Sequence, residues 1–358
     1  MSEARPSLFA ATFSLLMCLY GSSVWGQSME EKLSAAIHAN EIAGLHATVV
    51  MLDGGRISEA YFAGEDERWG MPIGIVDHGP ETLHDVRSVT KSVVGLLYGI
   101  ALADGLVPPL DTPLLDLFPE YSDLRDGTAR EAITVQDALT MQMGTQWDES
   151  LPYSNPRNSE IAMEMASDRY RFVLDRPMVS EPGKIWTYNG GAVALIGKLI
   201  ADGTKMEIDQ FAEARLFHTL GITNYEWVRG GDGVPSAASG LRLTARDLAA
   251  IGVMVSQDGK YDGRQIVPAA WLEASFRPEA NIIDGFNYGL LWYVASGPSG
   301  DPILIAQGNG GQRLTIQPKA RFVVATFAGN YNQPGAWEMP LQVLLDYAVP
   351  EAGRHQSE

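Results

Sequence analysis

The stretch "HDVRSVTKSVVGLLYGIALADG", residues 84–105, decides how the chain is read. From Val89 onward it is apolar on nearly every helical face, through Val93, Val94, Leu96, Leu97, Ile100 and Leu102. A helix with that pattern is buried in a core, not laid on its surface. Asp104-Gly105, with Pro108 and Pro109 beyond, supplies a C-terminal stop. Ser88, Lys91 and Ser92 interrupt its head. An unpaired ammonium is costly to bury, so Lys91 is expected to be paired, neutralised or both. Residues three apart on a helix share a face, which brings Ser88 Oγ and Lys91 Nζ within reach of each other. Serine is a weak nucleophile until a base takes its proton, and a lysine in apolar surroundings can be that base. The unpaired N–H groups and positive dipole end of the first turn favour negative charge beside Ser88. On this pair alone, the alternative is a helix-capping serine and a lysine whose stem snorkels outward.

At 358 residues the chain can form one large domain or two intimate ones. Its 46% hydrophobic and 20% charged residues are ordinary for a globular protein. A formal net charge of -18 argues against nucleic acid or an anionic membrane as partner. Arg5 precedes the apolar run Leu8 to Tyr20, then GSSVWGQS. That run is short for a bilayer span and has the layout of a secretory signal over residues 1–26. The expectation is an exported protein, periplasmic or secreted, with no stable membrane anchor after processing. Met17 before Cys18 does not fit a lipoprotein signal. Cys18 is the only cysteine, which excludes a disulfide framework or a Cys-based zinc site.

HATVVMLDGGRISEAYFAG (His46 to Gly64) reads as two strands around a Asp53-Gly54-Gly55 turn. YGLLWYVAS from Tyr288, ILIAQ from Ile303 and FVVATFAGNY from Phe322 read as further strands near the other end. Helical stretches lie between, such as ITVQDALTMQM with its Thr134 cap and the run from Ala192 to Ala201. The expected class is α/β (α+β): an antiparallel sheet flanked by helices, formed by both chain ends, with a helical insertion. The expected units are a sheet domain over 27–105 and 236–350 and a helical domain over 106–235, with the active site in the cleft between them. GGDGVPSAASG (Gly230 to Gly240) is the clearest loop and marks the return to the sheet.

With Ser88-Val89-Thr90-Lys91 in place, the chain resembles the serine β-lactamase and penicillin-binding-protein superfamily. It is most similar to the class C β-lactamase-related group of esterases, D-amino-acid peptidases and 6-aminohexanoate-dimer hydrolase. ITVQDALTMQMGTQWDE, EPGKIWTYNGGAVALIG, SGLRLTARDLAAIG and GNGGQRLTIQPKARFVVATFAGNYN carry the likeness besides the helix, over about His46 to Leu345. The resemblance implies a β-lactamase/transpeptidase-like fold and no cofactor. It implies a Tyr-x-Asn motif at Tyr188, whose phenol relays the serine proton. The third position holds Gly190, with Asn189 adjacent. A Lys-Thr-Gly or His-Thr-Gly motif corresponds to Gly308-Asn309-Gly310, followed by Gly311, whose N–H would join that of Ser88 in an oxyanion hole. Gly308 removes the motif's cation, and Arg313 is the candidate to replace it. The expected substrate-binding residues are therefore Trp186, Asn189, Gly308, Asn309, Gly310 and Arg313.

No Gly-x-Ser-x-Gly elbow is present. GGAVALIGKL fails as a phosphate loop at Ala192 and Leu199, and GNGGQR fails the dinucleotide fingerprint at Arg313. The histidines are scattered, with no His-Glu-x-x-His, so no metal is expected. His84, four residues before Ser88, is assigned a structural hydrogen bond. Trp147, Trp186 and Trp292 are candidates to wall an apolar cleft. The functional expectation is an exported serine hydrolase that cleaves an ester or amide of a small-molecule substrate through a Ser88 acyl-enzyme. A true β-lactamase or a D-Ala peptidase is the alternative within the class. A non-catalytic binding or sensor protein on the same scaffold is the alternative outside it.

Overall fold

A computed structural model describes residues 27–297 and 299–357; the leader read in residues 1–26 lies outside them. Helix α1 (Met29–His38) is followed by β1 (Leu45–Leu52) and β2 (Gly55–Tyr61), a side hairpin β3 (Ala63–Arg68) and β4 (Met71–Asp77), and the short β5 (His84–Asp85). Helix α2 (Val89–Ala103) comes next, then a helix-rich middle with α3 (Val135–Leu139), α4 (Ser159–Glu164) and α5 (Gly190–Thr204). Strands β6 (Glu226–Trp227) and β7 (Leu241–Leu243) precede α6 (Ala245–Ser256). The chain then lays down β8 (Ala280–Ile283), β9 (Phe286–Tyr288), β10 (Tyr293–Ser296), β11 (Pro302–Gly308), β12 (Gln312–Gln317) and β13 (Phe322–Ala328).

The main sheet runs β8-β9-β10-β11-β12-β13-β1-β2, with antiparallel pairing throughout. Both chain ends therefore build it, as β1 docks beside β13 with Val50 opposite Val324. One face carries Val49, Leu314, Ile316, Val323 and Ala325 into the core shared with α2 and α6. The other carries Val50, Val324 and Ala328 against Met29 and Leu33 of α1 and Val343 and Leu344 of the C-terminal helical run, residues 338–355. Alternation along each strand sorts the side chains between these two layers.

Helix α2 is buried from Val89 to Ala101. It packs between α5 and the sheet strand β11. Ser88 is its N-cap, yet the side chain makes no cap hydrogen bond. The hydroxyl is left for other work. Arg87, just before it, holds φ 50, a left-handed conformation uncommon for a residue with a side chain and frequent beside functional groups.

The apolar run from Tyr288 is not one strand. Leu291 adopts φ 63, its N–H bonds the Leu139 carbonyl at 2.9 Å, and its carbonyl accepts from Ser92 Oγ at 2.7 Å. These partners on α3 and α2 fix a reversal at Gly289–Trp292 that splits the run into β9 and β10. Strands β8 and β12 complete the sheet beyond the runs read from the sequence.

Gly99 shows how tightly α2 is held. A Cβ there would fall 2.2 Å from Trp271 Cδ1. Alanine gains about 1 kcal/mol of helix propensity over glycine, whereas overpacking a filled core costs about 1–3 kcal/mol. Gly99→Ala is expected to lower the midpoint of urea unfolding; a raised midpoint would show that Trp271 yields freely.

Candidate active site

Helix α2 places Lys91 Nζ 3.0 Å from Ser88 Oγ. The ammonium is not in a purely apolar slot. It lies 3.2 Å from Glu160 Oε2 and donates to the Ala238 carbonyl at 2.9 Å. It also sits 5.0 Å from the centre of the Tyr188 ring, a cation–π distance. Lys91 and Glu160 are both almost wholly buried. Of the ways to keep a cation in the core, the structure uses pairing. Removing one member of such a pair strands the other charge, at a cost of about 3–5 kcal/mol.

Glu160 sits in no motif of the sequence, yet it organises the site. Asn158 caps α4 by accepting from the Glu160 N–H at 3.0 Å, and Ser239 Oγ donates to Glu160 Oε1 at 2.8 Å. The same carboxylate explains Gly190. A Cβ at that position would stand 2.3 Å from Glu160 Oε2, so an asparagine in the motif's third place would collide with it. Asn189 does not take over that place. Its Oδ1 accepts from the Ala192 N–H at 3.0 Å as the cap of α5, and the residue is buried.

A second carboxylate, Glu149, lies beside the first. Its Oε1 accepts from the Gly190 N–H and from Trp147 Nε1, each at 2.6 Å, and its Oε2 from the Tyr153 hydroxyl at 2.8 Å. Burial and the neighbouring Glu160 push its carboxyl up to about 7, against the pull of Lys91. Tyr188 is a side-chain hydrogen-bond partner of Ser88. Burial, with Glu149 adding to it, raises its phenol well above the ordinary range. It is a neutral phenol at rest.

Gly308 closes against the segment that leads into Ser88, where a Cβ would meet the Val86 carbonyl at 2.6 Å and Arg87 Cβ at 2.9 Å. Gly310 and Gly311 turn with φ 99 and 96, a region open to glycine and closed to most other residues. Asn309 is fixed to Asn332, donating through Nδ2 at 3.2 Å and accepting the Asn332 N–H at 2.9 Å. Ser88, Asn309, Asn332, Glu160, Trp69 and Arg87 all line one cavity of about 460 Å³.

Arg313 lies elsewhere. It pairs with Thr326, on the sheet face that carries Val324 and is covered by α1 and residues 338–355. There its Nε donates to Thr315 Oγ1 at 3.0 Å, and burial lowers it to about 10. Strand alternation sends it away from Ser88, so the cation expected to replace the one lost at Gly308 is not supplied by this residue. Trp186 packs on Tyr188, Tyr288 and Tyr293. Trp147 and Trp292 are core residues, and the indole on the cavity wall is Trp69. His84 Nδ1 donates to the Asp85 carbonyl at 2.9 Å. The scattered histidines converge in space, however: His46, His78 and His84 meet around Asp66.

An eight-stranded antiparallel sheet built by both chain ends, with Ser-x-x-Lys heading a buried helix, is the arrangement of a β-lactamase/transpeptidase-like fold. A family profile described as Beta-lactamase matches residues 31–339, and the chain belongs to that family. A curated relative is the 6-aminohexanoate-dimer hydrolase of Paenarthrobacter ureafaciens, 24% identical over 269 residues that make up 68% of this chain and 66% of the relative. The chain thus spans just under two thirds of that protein's length. Among solved structures, a protein assigned as a 6-aminohexanoate-dimer hydrolase from Bacillus anthracis superposes with a TM-score of 0.73 at 22% identity, over 88% of this chain and 81% of that one. EstCE1, a hydrolase with promiscuous acyltransferase activity, gives 0.70 at 17% identity over 88% and 96%. A β-lactamase/D-alanine carboxypeptidase from Pseudomonas syringae gives 0.63 at 17% over 89% and 98%.

Glu149 makes stability depend on pH in a definite direction. Its folded pKa of about 7 lies above the ordinary 4.5. The stabilisation tied to its protonated form is therefore complete below about 4.5 and lost as pH rises through about 7. Glu149→Gln keeps an oxygen for Trp147 and the Gly190 N–H. Its thermal midpoint, relative to wild type, is expected to be higher at pH 8 than at pH 5; the same offset at both would rule out this linkage.

Proposed function

We propose that this hydrolase cleaves an ester or amide through an acyl-enzyme on Ser88, acting on a small molecule whose recognition end carries no negative charge. The carrying observation is the uncapped Ser88 hydroxyl, 3.0 Å from Lys91 Nζ, on the wall of a cavity of about 460 Å³. In the first step a bond forms from Ser88 Oγ to the substrate carbonyl carbon. The serine proton passes to the Tyr188 oxygen while the Tyr188 proton moves to the leaving oxygen or nitrogen as the carbonyl–heteroatom bond breaks, and the Lys91 ammonium, which donates to Ser88 Oγ, stabilises the charge that develops there. Because Tyr188 rests as a neutral phenol, it relays the proton in step with attack instead of storing a negative charge. The N–H groups of Ser88 and Gly311 are the proposed donors to the oxyanion. Water then attacks the acyl carbon, gives its proton back along the same relay, and releases the acid.

The cavity's charge supports the neutral recognition end. Arg87 lines it, but its guanidinium is tied to Glu67 at 3.0 Å and to Asp85 at 3.2 Å. Glu67, Glu160 and Glu164 line the same space. A substrate carboxylate would face carboxylates and an arginine already paired. The relatives named as 6-aminohexanoate-dimer hydrolase and EstCE1 are in keeping with linear amide or ester cleavage. We also read residues 1–26 as an export signal, so that intact mass of exported protein would show a chain beginning after Gly26.

Two measurements test this reading. Acid quench during turnover of a short p-nitrophenyl ester is expected to trap an acyl adduct on Ser88 by intact mass, absent in Ser88→Ala. Turnover of that ester is expected to exceed that of a chromogenic cephalosporin by about a hundredfold or more, because a buried site rejects a charge it cannot pair. Adduct formation in Ser88→Ala would refute the nucleophile, and preferred cephalosporin turnover would refute the substrate class.

A further inference from the structure

Four buried side chains converge below the nucleophile turn, from four segments distant in sequence. His46 comes from β1, Asp66 from β3, His78 from just past β4 and His84 from β5. One candidate ligand atom from each lies within 4.8 Å of all the others. His46 Nδ1 is 2.9 Å from His84 Nε2, His84 Nε2 is 3.4 Å from Asp66 Oδ1, and His78 Nε2 is 4.0 Å from Asp66 Oδ2. Ligands of a tetrahedral ion bound at its usual N and O distances stand about 3.3–3.5 Å apart. The cluster spans that value before any adjustment.

Hydrogen bonding within the protein does not satisfy the cluster. Asp66 Oδ2 and His78 Nε2 are buried and have no hydrogen-bond partner. Such orphans call for an explanation, an ion among them. The outer contacts orient the remaining donors. A carbonyl can only accept, so His84 Nδ1 carries a proton for Asp85 and its Nε2 lone pair faces inward. Asp66 Oδ1 accepts from the Tyr331 hydroxyl and Asp66 also takes the Glu67 N–H, both at 2.8 Å. The His46 ring is confined, because a Cβ at Gly64 would lie 2.4 Å from its Nε2 and one at Gly329 would lie 2.6 Å from its Cε1. Ligating histidines and carboxylates are commonly braced in this manner.

We propose that His46, Asp66, His78 and His84 form a closed, structural site for a divalent first-row metal ion, with Zn²⁺ the best match. Three imidazoles and one carboxylate make a borderline-soft tetrahedral set, and four protein ligands leave no open position for catalysis. Binding requires His46 to change tautomer, the proton that Nδ1 shares with His84 being carried on its own Nε2 instead. The ion would clamp the β3–β4 hairpin to strand β1 of the main sheet. It would also hold the segment that leads into Ser88: Tyr331 stacks under the Arg87 guanidinium at 4.7 Å and touches Gly310, where a Cβ would be 2.6 Å from Tyr331 Cδ1.

The test uses the whole protein after chelation and dialysis. Co²⁺ titration is expected to give one equivalent bound with the visible ligand-field bands of a tetrahedral ion, and added Zn²⁺ to raise the thermal midpoint. His78→Ala and Asp66→Asn, each checked for native circular dichroism, are expected to weaken Co²⁺ binding by about tenfold or more and to abolish the Zn²⁺ shift. Absence of bands and of a midpoint shift in wild type would overturn the proposal, leaving only a hydrogen-bonded cluster. An octahedral spectrum, or tetrahedral bands undiminished in a folded variant, would overturn it equally.

Discussion

Everything at this site depends on one buried ion pair, Lys91 with Glu160. Helix α2 needs its apolar surface to fill the core, and the chemistry needs an amine one turn from Ser88. These demands conflict unless the amine finds a partner in the same dry space. Glu160 is that partner, held by the Asn158 cap and by Ser239. The pairing also fixes what neighbours can be: glycine at 190, because the carboxylate fills its side-chain volume, and a carbonyl from the loop at Ala238. The pair stabilises little in net terms, since desolvating two charges offsets much of their attraction. Its value is geometric. It points Nζ at Ser88 Oγ and leaves the serine free of capping.

The features legible in the sequence were those set by short-range periodicity. The buried helix, its stop and the Ser88–Lys91 approach all follow from 3.6-residue spacing, and the sheet closed by both ends follows from paired strand patterns at His46 and Phe322. What the sequence hid were residues delivered by tertiary structure. Glu160, Glu149, Tyr153 and Ser239 are ordinary polar residues in loops and short helices, with no periodic signature. One clue was present. Glycine where the motif has asparagine signals that something else occupies that space.

Arg313 illustrates the opposite failure. A strand's two faces differ by one residue of register, so a cation near a motif is as readily on the wrong layer as on the right one. The histidines were hidden for a related reason. Each belongs to a different strand or strand end, and only the folding of the β3–β4 hairpin back over β1 brings them around Asp66. The loop Gly230 to Gly240, read as a return between units, proves to be part of the site through Ala238 and Ser239.

The central claim is that Lys91 makes Ser88 reactive. The most direct measurement is the second-order rate of Ser88 labelling by a fluorophosphonate in wild type, in Lys91→Met, and in Lys91→Met/Glu160→Gln, where the carboxylate paired with Lys91 is neutralised as well. The account predicts a fall of about 10²–10⁴ in both variants while the double variant keeps its native fold. Labelling at the wild-type rate in the folded double variant would contradict it.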